Sequence, residues 1–456
     1  MKSLQDRLSK AAVPRLLLSF AGPAVIGLLC QALYNIVDRI FVGQFVGPEG
    51  LAALTMAFPV MLLMFGFSLL FGSGSATLIS KYMGESNFEK AEKTLGSMFA
   101  SLIIFAVFFV IAGLLFLEPL LILLGAKGSL LEQSIAYLRI IMMASPFIMG
   151  FALDYTIRGE GNPKFPAMVI IISSVINIIL DFIMIKVLGM GISGAALATA
   201  ISESIAGFLL ISYYLSGKSV IKLHLKNIRL QKSFLLPILS LGFAPFIMDA
   251  ASSIQNMVAN KMLITYGGEY GVAAMGIVFA VNMICLLVAL GIGDGMQPII
   301  SFNHGAKATH RVNKTLIYAI FFVEIIAVLV LILVEVFPNI ISGFFVNNNP
   351  DLSAVAVIAL RIFAISIPFF SFQIIGVRYF QAIHQRRLAT ISAILRQLVI
   401  FIPAIYLMGK LFGLNGIWIS FPISDFFAAM ITVFMIKRFH DKRIGGGALI
   451  RKLKLN

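Results

Sequence analysis

Charged residues are scarce in this sequence. Only 12% of its 456 residues are Asp, Glu, Lys or Arg, about half the share of a soluble globular domain. Too little charge is present to coat a water-facing surface, which excludes a soluble enzyme carrying a membrane tail. Cysteine is almost absent: Cys30 and Cys285 both lie inside apolar runs, so neither a disulfide framework nor a thiolate metal site is available. The histidines, His224, His304, His310, His384 and His440, all fall in segments between apolar runs. An intramembrane haem, a histidine metal cluster and a buried histidine proton relay are therefore excluded. Clustered metal-binding acids within the apolar runs are lacking too, which argues against an intramembrane transferase.

What is abundant is apolar surface. Hydrophobic residues make up 60% of the chain and the mean hydropathy is +0.99. A spanning helix takes about 20 apolar residues, so the chain has material for roughly a dozen. Stretches such as SLIIFAVFFVIAGLLFL (101–117) are apolar on every face, whereas barrel strands would alternate. The N-terminal apolar run follows basic residues, as in a signal peptide, but it continues past Cys30 to about Gly43 without a small-residue cleavage site. It reads as a retained first helix.

Marking apolar runs between charged or Gly/Pro-rich breaks predicts an all-α integral membrane protein of twelve spans. They lie near 15–43, 50–79, 95–117, 133–157, 165–185, 191–215, 235–262, 271–300, 315–336, 353–379, 388–409 and 415–436. With the N-terminus inside, 27 of the 35 Lys and Arg fall in cytoplasmic segments and four at outer ends. That bias predicts both termini in the cytoplasm. It also accounts for the net charge of +15 as topology and lipid contact, with no nucleic-acid partner.

The chain repeats itself. A shift of 221 residues lays GSGSATLISKYMGE (72–85) on GDGMQPIISFNHGA (293–306), and Lys93-Thr94-Leu95 on Lys314-Thr315-Leu316. A shift of 222 pairs Pro23 with Pro245, Leu138-Arg139-Ile140 with Leu360-Arg361-Ile362, and Gly191 and Gly194 with Gly413 and Gly416. Each half holds six spans, an even number, so both share one orientation and are related by an axis along the membrane normal. The predicted organisation is an N-terminal bundle (1–215), a basic linker (216–234), a C-terminal bundle (235–437) and a basic tail (438–456). Two such bundles around a central cleft suit alternating access. SKYMGESNFEK (80–90) lacks the Gly-x-x-x-Asp-Arg/Lys type motif of major-facilitator transporters.

DRIFVGQFVGPEGLAAL (38–54), the two GxG segments, RGEGNPKFP (158–166) and GISGAALATAISE (191–203) together resemble the MATE family of multidrug and toxin extrusion transporters. The resemblance covers nearly the whole chain and is greatest to the MepA-type bacterial members. It implies a secondary active antiporter that exports organic cations and drugs in exchange for Na⁺ or H⁺. It further implies no cofactor beyond the coupling ion, drugs and the lipid bilayer as partners, and a monomer in the cytoplasmic membrane. The alternative in the same superfamily is a lipid or polysaccharide flippase, for which a cationic cleft is expected.

Charges in hydrocarbon are costly and usually functional, and the repeat offers a second filter. Arg139 and Arg361 are partners, as are Glu203 and Asp425, so each pair has an architectural reading. Asp38, Asn177, Asp181 and Thr199 instead face Asn260, Val399, Pro403 and Phe421 in the other half. Asn177 and Asp181, four apart, share a helix face, and the spans allow all four residues to meet in the outer half of the bundle. Two carboxylates, an amide and a hydroxyl make an oxygen site for Na⁺ and equally a proton site. The competing reading is a hydrogen-bond network that only locks spans 1, 5 and 6. The resemblance points to the same residues, since the DinF-like branch places its cation site on helix 1, 5 and 6 residues of these types, with Tyr34, Gln31, Glu203 and the Pro23 bend nearby as gating and substrate positions. Asp154 is a further coupling candidate, though Arg158 four residues on offers an ion pair. Asp249 lies within about one turn of Pro245, so a second site on span 7 is doubtful, and Asp294 reads as gating or structural.

Overall fold

The computed structural model describes residues 2–123, 126–346 and 349–444. Among these the secondary structure is helical, with no strand. The first six spans are α1 (Val13–Phe45), α2 (Pro48–Gly84), α3 (Phe88–Leu115), α4 (Gly128–Gly159), α5 (Lys164–Val187) and α6 (Gly191–Leu215). The next helical run, Lys232–Gly305, holds 74 residues, about 110 Å at 1.5 Å per residue, far more than a bilayer core of about 30 Å. It is broken at Gly268 (φ 56°, ψ −147°), a backbone conformation that side-chain-bearing residues rarely adopt. This gives α7 (232–267) and α8 (269–305). After α9 (Thr309–Val336), the pair Pro350–Ala364 and Ser366–Ala382, bent by 44°, forms α10. The last run breaks at Gly413 (φ 57°, ψ −135°) into α11 (386–412) and α12 (414–444). Gly413 is the repeat partner of Gly191, whose φ is 59°, so both halves open their sixth span on a glycine with positive φ. Twelve spans result among the described residues, as the apolar runs predict, with helices longer than those runs. Most of the basic tail (438–456) lies outside the described residues.

The chain forms two compact units. Unit 1 comprises Met1–Phe246 and Gln297–Val312, and unit 2 comprises Ile247–Met296 and Asn313–Asn456. The repeat assigns 235–246 and 297–312 to the second half, but in space these helix ends belong to unit 1. Glycine is the reason. A Cβ on Gly242 of α7 would collide with the Leu70 carbonyl of α2, and one on Gly74 with the Ile238 carbonyl. Gly84 and Gly305, partners in the repeat, pack reciprocally: each would drive a Cβ into the other helix, at the Phe302 and Lys81 carbonyls. Small residues at such crossings let helix backbones touch where no hydrophobic drive operates within lipid.

Hydroxyls add directional bonds inside unit 1. Ser80 Oγ donates to the Gly159 carbonyl at 2.6 Å, Ser145 Oγ to that of Ala106 at 3.1 Å, and Tyr214 to Thr156 Oγ1 at 2.9 Å. The RGEGNPKFP segment ties the linker to the bundle. Glu160, fully buried, accepts from the Ser219 hydroxyl at 2.6 Å and from the Val220 N–H at 3.2 Å. Asn162 Nδ2 donates to the Tyr213 hydroxyl at 3.3 Å, and Phe165 packs on the Tyr213 ring at 5.0 Å. In unit 2, buried Arg378 pairs with Asp294 at 2.8 Å, and Thr432 donates to Gln373 Oε1 at 2.7 Å.

Candidate functional site

Three helices of unit 1 each contribute two polar residues four apart, one turn of helix that sets both on one face. α1 carries Tyr34 and Asp38, α5 Asn177 and Asp181, and α6 Thr199 and Glu203. Asp38, Asn177, Asp181, Thr199 and Glu203 are all buried, Asp181 completely. Asn177 Nδ2 donates to Thr199 Oγ1 at 3.5 Å, and the Tyr34 hydroxyl to Glu203 Oε1 at 3.2 Å. Ser173 Oγ, one turn from Asn177, donates to the Ser202 carbonyl at 2.8 Å and fixes α5 on α6. α5 ends its regular helix at Asp181 and widens into a π-helical turn over Phe182–Val187, a distortion often found at functional sites.

The electrostatics of this group are unbalanced. Asp38 Oδ1, Asn177 Oδ1 and both carboxylate oxygens of Asp181 are buried with no hydrogen-bond partner among the described residues. Asp38 and Asp181 are close enough to repel each other. Arg39 adjoins Asp38 in sequence, but it is exposed and lies over the Phe58 ring at 6.0 Å. Buried anionic oxygens without partners are costly unless a counter-charge or a proton joins them. An amide, a hydroxyl and two carboxylates form a hard-oxygen donor set. No group of three His, Cys, Asp or Glu residues suited to a metal ion occurs among the described residues, so the neutral oxygens of Asn177 and Thr199 would have to share in holding a cation.

The other sequence-derived positions fall elsewhere. Gln31 is half-buried one turn from Asn35, whose side chain donates to the Gln31 carbonyl at 2.8 Å. α1 runs through Pro23 without a break in the helix. Asp154 stands 17 residues along α4 from Tyr137, a buried residue whose phenol meets Thr199; at about 25 Å by helical rise, Asp154 is not brought to this group. It accepts from Arg158 Nε at 2.8 Å and from its terminal nitrogen at 2.5 Å, both side chains buried. In unit 2, Asp425 faces Arg396 at 3.5 Å, and Asp249 lies within the fields of Arg378 and Asp294. Glu203 and Asp425, equivalent in the repeat, thus have different partners: a phenol in one half and a guanidinium in the other.

Two residues escape the reading from sequence. Tyr137 of α4, buried, sets its phenol against Thr199 and within the fields of Asp38, Asp181 and Glu203. Its repeat partner is Ala359, so the asymmetry filter could have found it had uncharged residues of that span been included. Glu160 lies inside a motif noted only for resemblance, and its burial could not be read from its polar surroundings.

Unit 2 fills the equivalent region differently. Phe421, the counterpart of Thr199, packs against Phe401 at 4.7 Å and Phe363 at 5.1 Å between ring centres. Val399, the counterpart of buried Asn177, is 58% exposed, and Asn260, the counterpart of Asp38, is also exposed. A π-helical segment at Leu395–Ile400 sits at a place in α11 where α5 has none. The oxygen-rich arrangement therefore belongs to one half only.

The MatE family model matches the chain twice, over residues 23–183 and 245–407, so its two copies start 222 residues apart, the offset of the internal repeat. The chain is 30% identical over 436 residues to the multidrug export protein MepA of Staphylococcus haemolyticus, covering 95% of each. It is 29% identical over 434 residues to that of Staphylococcus saprophyticus, again covering 95% of each. The crystal structure of a MATE protein in the bent conformation superposes with a TM-score of 0.89 at 25% identity, covering 96% of this chain and 97% of that one. A family model that matches both halves, and relatives aligned along nearly the whole length, make this chain a member of the MatE family of transporters.

Proposed function

We propose that the chain is a secondary active multidrug efflux antiporter, moving organic cations and drugs out of the cell in exchange for inward Na⁺ or H⁺ by alternating access. The observation that carries this reading is the set of four partnerless buried oxygens on Asp38, Asn177 and Asp181, present in one half of a duplicated protein. Such a group gains stability by taking up a cation or a proton, and its affinity must differ between two states for that uptake to drive a conformational change. The export function named for the staphylococcal relatives supports drugs as the cargo. The Lys and Arg bias supports a topology with the basic segments, and both termini, on the cytoplasmic side.

Efflux from proteoliposomes containing the full chain, with Na⁺ and pH gradients imposed separately, tests the reading. Uphill movement of a dye cation under one of the two gradients is expected. Equal efflux rates with and without either gradient would refute coupled antiport.

A further inference from the structure

The two halves treat one pair of equivalent arginines differently. In unit 2, Arg361 of α10 lies 3.8 Å from Glu335 near the end of α9. The matching position in unit 1, under the 221-residue shift that aligns α3 with α9, is Leu114. Arg139 of α4 has no carboxylate in that place. It is exposed and makes no ion pair among the described residues. The last turn of α3 stands level with it, since Gly113 abuts the side chain of Met142, one turn further along α4.

α3, the short helix Leu117–Leu123 and α4 border an open pocket of about 630 Å³, within the range of pockets that hold small organic ligands. Its walls are apolar at Leu114, Leu115, Ile122 and Leu123, and its two lining charges are Arg139 and Glu118. Leu115 is 64% and Leu123 83% exposed, so the apolar wall opens outward; near the outer end predicted for this span, an arginine stem would lie along hydrocarbon while its head seeks the interface. A guanidinium without a protein partner at that depth calls for a phosphate, which it binds in bidentate geometry. A carboxylate in the same cavity favours a headgroup that also carries an amine.

We propose that this cavity is a binding site for an aminophospholipid, with the phosphate on Arg139, the ammonium against Glu118 and an acyl chain along Leu114, Leu115 and Ile122. The site needs only the membrane embedding of the chain and is independent of what it transports. One turn inward of Arg139, Met143 opens onto a second groove of about 670 Å³ between α4 and α6, apolar apart from Ser204, which offers a second acyl chain a path along the same helix.

Native mass spectrometry of the purified full-length protein, with phosphatidylethanolamine, phosphatidylglycerol or inorganic phosphate added, tests the proposal. One retained phosphatidylethanolamine is expected, with affinity reduced at least tenfold by Arg139→Gln and by Leu114→Glu. The second change installs the unit 2 counter-ion beside Arg139 without removing the guanidinium. Glu118→Gln should lower the affinity for phosphatidylethanolamine to that for phosphatidylglycerol, and Arg361→Gln should leave binding unchanged. Retention indifferent to both Arg139→Gln and Leu114→Glu overturns the proposal, as does equal retention of the two lipids or displacement by inorganic phosphate.

Discussion

The hydroxyl of Tyr34 donates to Glu203 at 3.2 Å, joining α1 to α6 across 169 residues of chain. Its consequence is a division of labour among three acids. Glu203 has a phenolic partner, whereas Asp38 and Asp181 hold oxygens that no group among the described residues satisfies. We propose that the titratable or cation-binding work falls to the two aspartates, with Glu203 fixing the wall beside them.

Asp38→Asn and Asp181→Asn should each abolish gradient-driven efflux while leaving the amount of folded protein near wild type. The amide keeps the shape and most hydrogen-bonding capacity but loses the charge. Dye efflux alongside size-exclusion profiles checks this, and wild-type transport in either variant would show that the oxygens are merely structural.

Tyr34→Phe removes the donor to a buried carboxylate. Leaving such a group unsatisfied costs about 1–3 kcal/mol. The expected outcome is active but less stable protein, with a Tm several degrees lower and a displaced pH profile of efflux. Glu203→Gln, which keeps a group able to pair with the phenol, should disturb stability less.

The twelve spans were legible because hydrocarbon demands long apolar runs, and the internal repeat was legible because glycines such as Gly84 and Gly305 recur where backbones touch. The asymmetric residues Asp38, Asn177, Asp181 and Thr199 were legible as a group for a further reason: comparing halves separates what packing requires twice from what occurs once. Helix orientation about its own axis was not legible. No pattern in the sequence tells that Val399 turns outward while Asn177 is buried, since π-helical turns at different places in α5 and α11 change which face each presents. Nor could apolar patterning show that the ends of α7 and α8 join unit 1, because that depends on which carbonyl each glycine meets.

Glu160 gives a pH dependence outside the spans. Burial raises its pKa to about 7 from an ordinary value near 4.5, with the bonds from Ser219, Tyr213, Val220 and Ile221 opposing the rise only in part. The folded state thus binds this proton more tightly than the unfolded state. Its contribution to stability is complete below about pH 4.5, declines as pH rises, and is lost above about pH 7. Thermal unfolding of the wild type should show Tm falling across pH 5 to 7, and Glu160→Gln, permanently neutral, should flatten that slope.

Gly242→Ala should be among the most damaging single-methyl additions in the chain. Its Cβ would meet the Leu70 carbonyl, a backbone atom that cannot rotate away. Overpacking of this kind costs about 1–3 kcal/mol or more. Gly22→Ala makes the control, since nothing lies within 4 Å of its Cβ position. Equal yields and equal thermal stability of the two variants would contradict the close crossing of α2 and α7.

We propose that Pro23 links the candidate site to motion. It lacks the N–H that would complete the helix ladder and its ring crowds the preceding turn, so α1 is weakest there even though the helix continues through it. Asp38 lies 15 residues further on, about 22 Å along the axis. On the proposed reading, a cation or proton at Asp38 would relieve its repulsion with Asp181 on α5, change how α1 packs against α5 and shift the balance between a straighter and a more bent helix. That shift can be no larger than the difference in cation affinity between the two forms. Pro23→Ala restores the ladder and should favour the straighter form, weakening coupling while sparing equilibrium binding of a dye cation. Spin-label pairs between α1 and α5 provide the direct measurement: wild-type distances should respond to Na⁺ or pH, and those in Pro23→Ala should respond less. Wild-type distances indifferent to both ions would refute a switch in α1, even with Asp38 still required for transport.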